Sequence, residues 1–469
     1  MADYLKYDVG TNFDLKIFDI IKEADTKKRI KNIYGKLKED GLPGGRASAT
    51  IADMTDQQFV DYIRLCNENG LTFNYLINPL CMGQSELDPD EGAKIRSTIH
   101  KLYDMGVREF TINSASLIKY VKKEFKDVQV TLGLYAYPVN IQQVEYWRNW
   151  GVDEITLDHG FNRKFDKLEK LMTFYKDSDL RMRVIANNFC LKECPFRLTH
   201  GSFVGHSSTK ALSMDYSLIN CEYRKITNPK AMLTAEWIRP EDVHYYEELA
   251  EKTGYKNFSL KLVERNAPTA FIERVIRAYC AESYDGNLLD IVNWPANKKP
   301  AGAKVPMGMP AGAPPMGMPA GAPPMGMPAG GPPMGMPAGG PPMGMPAGAP
   351  PMGMPAGGPP PGAMGNIRFA DRMDFSFLPR YGMAMNVPDI YVDNKKLDGF
   401  IEHFINHNNC ENSVCAGTMV EDGKKCSYAC DHCGAWAKKA ISYDEEEVAR
   451  WTENAKYVIE TLESGAMYR

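Results

Sequence analysis

Residues 305–367 contain no charged side chain, and 306–359 are six copies of a nine-residue unit, PMGMPAG(A/G)P. Proline removes backbone donors, glycine raises the entropic cost of ordering, and no helix or strand period runs through the unit. Such a segment cannot form a packed core and is expected to be a disordered, extended spacer. Glycine does not recur at every third position, which excludes a collagen triple helix. The methionine pairs, such as Met307 and Met309, are soft ligands for Cu(I), but thioethers alone do not close a site. The chain of 469 residues is thereby divided into a domain over 1–298, a linker over 299–366 and a C-terminal module over 367–469.

Over 1–298, short β-rich runs alternate with longer helical patterns, the arrangement of parallel strands joined by crossover helices. Strands are expected at 6–9, 31–34, 72–77, 109–112, 129–134, 154–157, 182–185 and 258–262. Eight strands suit a closed (β/α)8 TIM-like barrel, and the span is close to its usual length of about 250 residues. Residues 231–237 are apolar enough to be one strand more. An open doubly wound sheet is the alternative, but no GxGxxG loop follows the first strand, and this favours the barrel. Helical periodicity places Phe59, Tyr62, Ile63 and Cys66 on one face of 59–69, and Ile95, Ile99, Leu102 and Tyr103 on one face of 93–105. Cys66 and Cys280, the latter in a helix over 270–280, fit apolar stripes and are expected in the core.

Hydrophobic residues make up 44% of the chain, enough for a sizeable core, and the formal net charge of −4 gives no bulk electrostatic reason to bind nucleic acid. No apolar run is long enough to span a membrane. The N-terminus, Met1-Ala2-Asp3-Tyr4, lacks the basic and apolar regions of a signal peptide, so a cytoplasmic location is expected. In that compartment eleven clustered cysteines suggest metal or redox chemistry rather than disulfides.

Cys190 and Cys194 directly follow the 182–185 strand in Asn188-Phe189-Cys190-Leu191-Lys192-Glu193-Cys194. Barrel enzymes carry their working residues in loops at the C-terminal ends of strands. Cys81 follows the 72–77 strand on the same face, and Cys221 lies in the long excursion after Cys194. Four thiols converging on one mouth suit a [4Fe–4S] cluster, and zinc would also accept them. His200 and His206, in a polar stretch beside the pair, are candidate acid/base groups or alternative ligands. Asp158 and His159 end another strand, and Arg46 sits in a glycine-flanked turn suited to an anion. Each of these alone is as readily a structural polar residue.

Glu109-Phe110-Thr111-Ile112-Asn113-Ser114, then 129–134, then Trp147-Arg148-Asn149-Trp150-Gly151-Val152-Asp153-Glu154-Ile155 is similar to the barrel core of the collagenase-like peptidase family U32. Asn188-Phe189-Cys190 with Cys194-Pro195-Phe196-Arg197 resembles its cysteine-bearing segment, and 258–265 its strand ending in Glu264-Arg265. The resemblance covers about residues 4–295. It implies proteolysis, for which the family is named. Equally, it implies membership of the branch that holds a [4Fe–4S] cluster on four dispersed cysteines and takes part in oxygen-independent hydroxylation of RNA bases or quinone precursors, or in peptide maturation. Cys190 and Cys194 match the C-x3-C pair of that branch. The spacing around Cys221 and the repeat linker depart from it.

The C-terminal module opens with aromatic, irregular sequence and closes with a helix over 444–464 that starts in an acidic run. Between them lie Cys410, Cys415, Cys426, Cys430 and Cys433. Cys410, Cys415, Cys430 and Cys433 would make one four-ligand site; Cys426 could replace one of them, and His407 or His432 could serve zinc. A second [4Fe–4S] cluster and a structural zinc stay open. Cys426-x3-Cys430-x2-Cys433 resembles the radical S-adenosylmethionine motif, but only 36 residues follow it, too few to build that enzyme's barrel.

Three functions follow. The first is an iron–sulfur enzyme modifying a peptide, RNA base or small aromatic, with the tail cluster delivering electrons on a flexible arm. The second is a peptidase, although the chain has no HExxH or GxSxG motif. The third is a non-catalytic scaffold or redox partner of another enzyme.

Overall fold

A computed structural model describes residues 4–38, 40–45, 53–208, 214–298, 376–406, 414–415 and 429–466. The repeat tract, Arg46, Cys410, Cys426 and His407 lie outside these residues. Eight parallel strands close into a barrel in sequence order: β1 (Leu5–Gly10), β2 (Ile30–Gly35), β3 (Thr72–Ile77), β4 (Glu109–Ile112), β5 (Gln129–Leu132), β6 (Glu154–Thr156), β7 (Arg181–Ile185) and β8 (Phe258–Leu262). Leu5 opposite Phe258 and Val9 opposite Leu262 complete the ring.

Helices α1 (Lys16–Ala24), α2 (Asp56–Glu68), α3 (Pro89–Asp104), α4 (Ala115–Glu124), α5 (Ile141–Trp150) and α6 (Phe165–Tyr175) alternate with the strands. After β7 come α7 (Arg197–His206), α8 (Tyr216–Thr227), α9 (Lys230–Thr234) and α10 (Val243–Thr253), and α11 (Thr269–Ala281) follows β8. Local signals fix their ends. Thr55 and Gln58 form a capping box at α2, and Asp88 accepts from the amides of Asp90 and Glu91 where Pro89 opens α3. Cys66 is buried on the inward face of α2, as its periodicity requires.

The further strand expected at 231–237 is instead α9 and the extended residues after it. Ala231, Met232 and Leu233 are good helix formers, and Pro229 immediately precedes the helix. A short apolar run looks the same whether it is a buried helix or a buried strand.

The barrel interior is ionic. Arg183, fully buried, pairs with Asp8 and with Glu154, both at 3.1 Å, and donates to Thr156 Oγ1 at 2.9 Å. Arg181 meets Glu109 at 2.9 Å, Thr131 donates to Glu154 at 2.9 Å, and Thr111 donates to Asn74 at 2.6 Å. Lys261 lies 3.9 Å from the centre of the Tyr34 ring. At or just past the ends of β2, β3, β7 and β8 come Tyr34, Leu76, Ile185 and Val263, which form an apolar cluster of their own. Side chains two apart share a face, so this cluster caps the ionic interior and floors the mouth.

Past the linker come α12 (Phe377–Ala384), β9 (Ile390–Val392), α13 (Glu402–Asn406), β10 (Val414–Cys415), β11 (Ala429–Cys430), α14 (His432–Ala440), β12 (Ile441–Tyr443) and α15 (Glu445–Ser464). Asp444 caps α15 by accepting from Glu447 N at 2.9 Å. The module is docked on the barrel. Helix α15 packs on α8 and α12, α14 packs on α9, and the two parts share one continuous apolar core. Arg239, buried, donates to Asn394 O at 2.7 Å and pairs with Asp398 at 3.0 Å across this boundary. The described part of the tail is therefore seated on the barrel. Among the described residues, no helix is long and apolar enough to cross a membrane.

Candidate functional site

The chain leaves β7 through Asn187, whose amide oxygen accepts from Val263 N at 2.7 Å while its nitrogen donates to Val263 O and, at 3.0 Å, to Ile291 O. This pins the start of the cysteine loop to the end of β8. Asn188 Oδ1 accepts from Phe189 N at 3.1 Å and lies 3.5 Å from Cys190 Sγ. Glu193 adopts a left-handed backbone (φ 48°), uncommon for a residue with a side chain, and turns the segment between Cys190 and Cys194.

Cys190, Cys194 and Cys221 are each half-buried and stand close enough to influence one another's ionisation. Burial pushes the Cys221 thiol up to about 12, with the nearby Lys225 ammonium pulling it down and the other two thiols raising it further. Cys194 is raised as well, first by burial. Lys225 stands one helical turn beyond Cys221 on α8, with its Nζ 4.7 Å from the ring centre of Phe189. It is a buried cation, paired with Glu222 at 3.2 Å and facing the three thiols.

Cys81 is exposed on the neighbouring loop, its sulfur accepting from Gly83 N at 3.3 Å. That loop is held by Asn113, which donates to Asn78 O at 2.9 Å and Pro79 O at 3.2 Å. Helix α7 lies directly on it. A Cβ on Gly201 would approach Leu80 to 3.2 Å, and one on Gly205 would approach Pro79 to 3.2 Å. Three of the four cysteines expected at the mouth are therefore brought together, with the fourth one loop away. Among the described residues, no three His, Cys, Asp or Glu side chains are drawn tightly enough to hold a single ion.

His200 Nε2 lies 3.1 Å from Asp215 Oδ2. The other oxygen of Asp215 accepts from Leu218 N at 2.9 Å as the cap of α8. Asp215 N in turn donates to Tyr381 Oη of the C-terminal module at 2.8 Å. The carboxylate is thus fixed before it orients the imidazole, an arrangement suited to moving a proton. His206 closes α7.

Asp158 is buried, accepts from Gly160 N at 2.7 Å and is bound by Arg197. Among the described residues neither ring nitrogen of His159 has a hydrogen-bond partner, and burial pushes its pKa down to about 4. Beside them lies Glu236, whose Oε2 has no partner among the described residues; burial pushes its carboxyl up to about 8. Lys192, from the cysteine loop, is the strongest charge opposing that shift. Glu236 thus joins the Asp158 turn to the cysteine loop.

Asp215, Lys225 and Glu236 were not expected from the sequence. Lys225 was discoverable as the residue four after Cys221 on an amphipathic helix. Glu236 is a lone charge in an apolar run, a signal lost when that run is read as a strand. The Asp215–His200 contact spans fifteen residues and leaves no local pattern.

Residues 28–173 match the family model for peptidase family U32. The chain is 25% identical over 277 residues to the uncharacterized protease MJ1657 of Methanocaldococcus jannaschii, the match covering 57% of this chain and 80% of that one. Among solved structures, the U32 peptidase Mk0906 aligns at 17% identity and a TM-score of 0.39, covering 55% of this chain and 92% of its own. The family match ends at residue 173, ahead of Cys190, and so does not extend to the three thiols.

Proposed function

We propose that the barrel mouth holds a [4Fe–4S] cluster and that the chain is an iron–sulfur-dependent U32 enzyme modifying a peptide, RNA base or small aromatic, by oxygen-independent hydroxylation or a related redox step. The observation carrying this reading is the grouping of Cys190, Cys194 and Cys221 opposite Lys225. The donor set fits. Thiolates are the ligands of such clusters, and a cube spreads its cysteines farther apart than a single ion does. That spread agrees with thiols that sense each other without closing around one point. Cys81, on the adjacent loop, is the candidate fourth ligand.

When bound, the cluster would supply single electrons. The chain's own residues do the rest. Lys225 offsets the charge of the buried thiolates. His200, oriented by Asp215, carries a proton at the nitrogen facing away from that carboxylate. The apolar floor of Tyr34, Leu76, Ile185 and Val263 separates the reaction space from the ionic interior.

Electron paramagnetic resonance of the anaerobically purified, dithionite-reduced chain tests this. A fast-relaxing cluster signal lost in Cys194→Ser supports it; a signal unchanged in Cys190→Ser and Cys194→Ser refutes it.

A peptidase is the second reading. The family's name and the His200–Asp215 pair favour it, with a free thiol as nucleophile. A cluster ligand cannot also be that nucleophile, so the two readings exclude each other at Cys190. Gelatin cleavage that survives iron chelation and is lost in Cys190→Ser would establish the peptidase.

A further inference from the structure

Three parts of the mouth meet at two adjacent residues, Asp215 and Tyr216. Asp215 orients His200 and caps α8, the helix that carries Cys221 and Lys225. Phe196 lies two residues beyond Cys194, and its ring stands edge-on to that of Tyr216 with 6.1 Å between centres. Helix α8 has 12 residues. A helix of that length is marginal on its own in water, so α8 takes its position from what packs on it.

Both junction residues are held by the C-terminal module. The amide of Asp215 donates to Tyr381 Oη on α12 at 2.8 Å, and Tyr216 Oη donates to Glu463 Oε1 on α15 at 2.5 Å. The two holding residues belong to one unit. From α15, Trp451 Nε1 donates to Ala384 O at 3.1 Å and Asn454 Nδ2 to Arg380 O at 2.9 Å, both carbonyls on α12. The Arg380 guanidinium lies 4.2 Å from the ring centre of Tyr457 on α15. Helix α15 also packs along α8. The pair α12 and α15 therefore grips the start of α8 at two consecutive residues while covering its outer face.

We infer that the C-terminal module completes the mouth: Tyr381 and Glu463 are positioning residues that act through Asp215 and Tyr216 on His200 and on the helix bearing Cys221 and Lys225. The mouth is then competent while the module is docked. Lifting the module loosens α8 first and separates Cys221 from Cys190 and Cys194, so docking controls whether the mouth retains its cofactor. The statement about the cofactor rests on the iron–sulfur reading; the grip on α8 does not.

The test compares two full-length variants that each lose a buried phenol hydrogen bond. Tyr381→Phe loses the bond to Asp215, and Tyr255→Phe loses the 2.6 Å bond to Leu180 O at the opposite end of the barrel. Hydrogen exchange of the folded proteins reads the grip without reference to iron. Tyr216–Thr227 should exchange about 10-fold faster in Tyr381→Phe than in wild type, with the barrel strands unchanged, and no faster in Tyr255→Phe. Challenged with an iron chelator under anaerobic conditions, Tyr381→Phe should release iron about 10-fold faster than wild type or Tyr255→Phe. Glu463→Ala, at an exposed position, should show the same pattern more weakly, and it decides the matter if Tyr381→Phe does not fold. Equal acceleration of Tyr216–Thr227 in Tyr381→Phe and Tyr255→Phe overturns the inference. So does acceleration in Tyr381→Phe spread evenly over the barrel strands, or iron release no faster in Tyr381→Phe than in Tyr255→Phe. Wild type without iron sinks the iron–sulfur reading instead, and hydrogen exchange alone then upholds or overturns the grip.

Discussion

The phenol oxygen of Tyr381 accepts a 2.8 Å hydrogen bond from the backbone amide of Asp215, so the C-terminal module holds the residue that orients His200. Tyr381 is buried, as is the amide it satisfies. Tyr381→Phe leaves a buried donor without a partner and should cost about 1–3 kcal/mol in chemical denaturation. A chain ending at residue 298 should lose more, because α8 and α9 would expose the faces now covered by α15 and α14. Increased hydrogen exchange should concentrate in Tyr216–Thr227.

The barrel interior predicts a non-additive result. Arg183→Ala strands Asp8 and Glu154 in the core and should destabilise by about 3–5 kcal/mol. Combining Arg183→Met with Asp8→Asn and Glu154→Gln should cost less than the single alanine change, because neither buried carboxylate is left without its arginine. Denaturant midpoints of the two variants and wild type check this.

Glu236 gives a pH dependence of known sign. Its folded-state pKa is raised to about 8 by burial. The neutral carboxyl is therefore accommodated at low pH, and its contribution to stability is lost as pH rises from the ordinary carboxylate range through about 8. Glu236→Gln should match wild type near pH 4 and become progressively more stable than it up to about pH 8, with no further gain above. His159 acts oppositely. Its pKa is depressed to about 4, so its contribution is present above its ordinary range and is lost as pH falls toward 4. Thermal melts across this range measure both.

Gly10 sits where β1 passes the end of β8. A Cβ there would lie 2.9 Å from both Cα and N of Arg265, backbone atoms that cannot turn aside, and 3.1 Å from Tyr34 Oη. Gly10→Ala should destabilise by about 1–3 kcal/mol.

All eight barrel strands were legible, and their ends differ from expectation by no more than two residues. Parallel strands buried on both faces give short β-rich runs, and the helices between them carry a clear period, as Phe59, Tyr62, Ile63 and Cys66 show. The exception, 231–237, is a short apolar run where period cannot separate helix from strand. The ionic interior was legible only as charges scattered within strands, because Asp8, Glu154 and Arg183 meet through barrel closure. For the same reason the C-x3-C pair was visible while its partners were not. Lys225 reaches Phe189 across two elements, and Asp215 reaches His200 across a segment without local pattern. Docking of the C-terminal module was hidden by the linker, whose composition suggests independence. Phe400 against Trp237 and Arg163 is a contact between residues more than 160 apart in sequence.

The central claim concerns the three thiols at the mouth, and the most direct measurement is iron and acid-labile sulfide in anaerobically purified protein. Wild type should hold about four irons, with matching sulfide, that disappear in Cys194→Ser and Cys221→Ser. Both variants should keep any metal lost in Cys433→Ser. Iron and sulfide absent from wild type, or retained in full by Cys194→Ser and Cys221→Ser, would contradict the account.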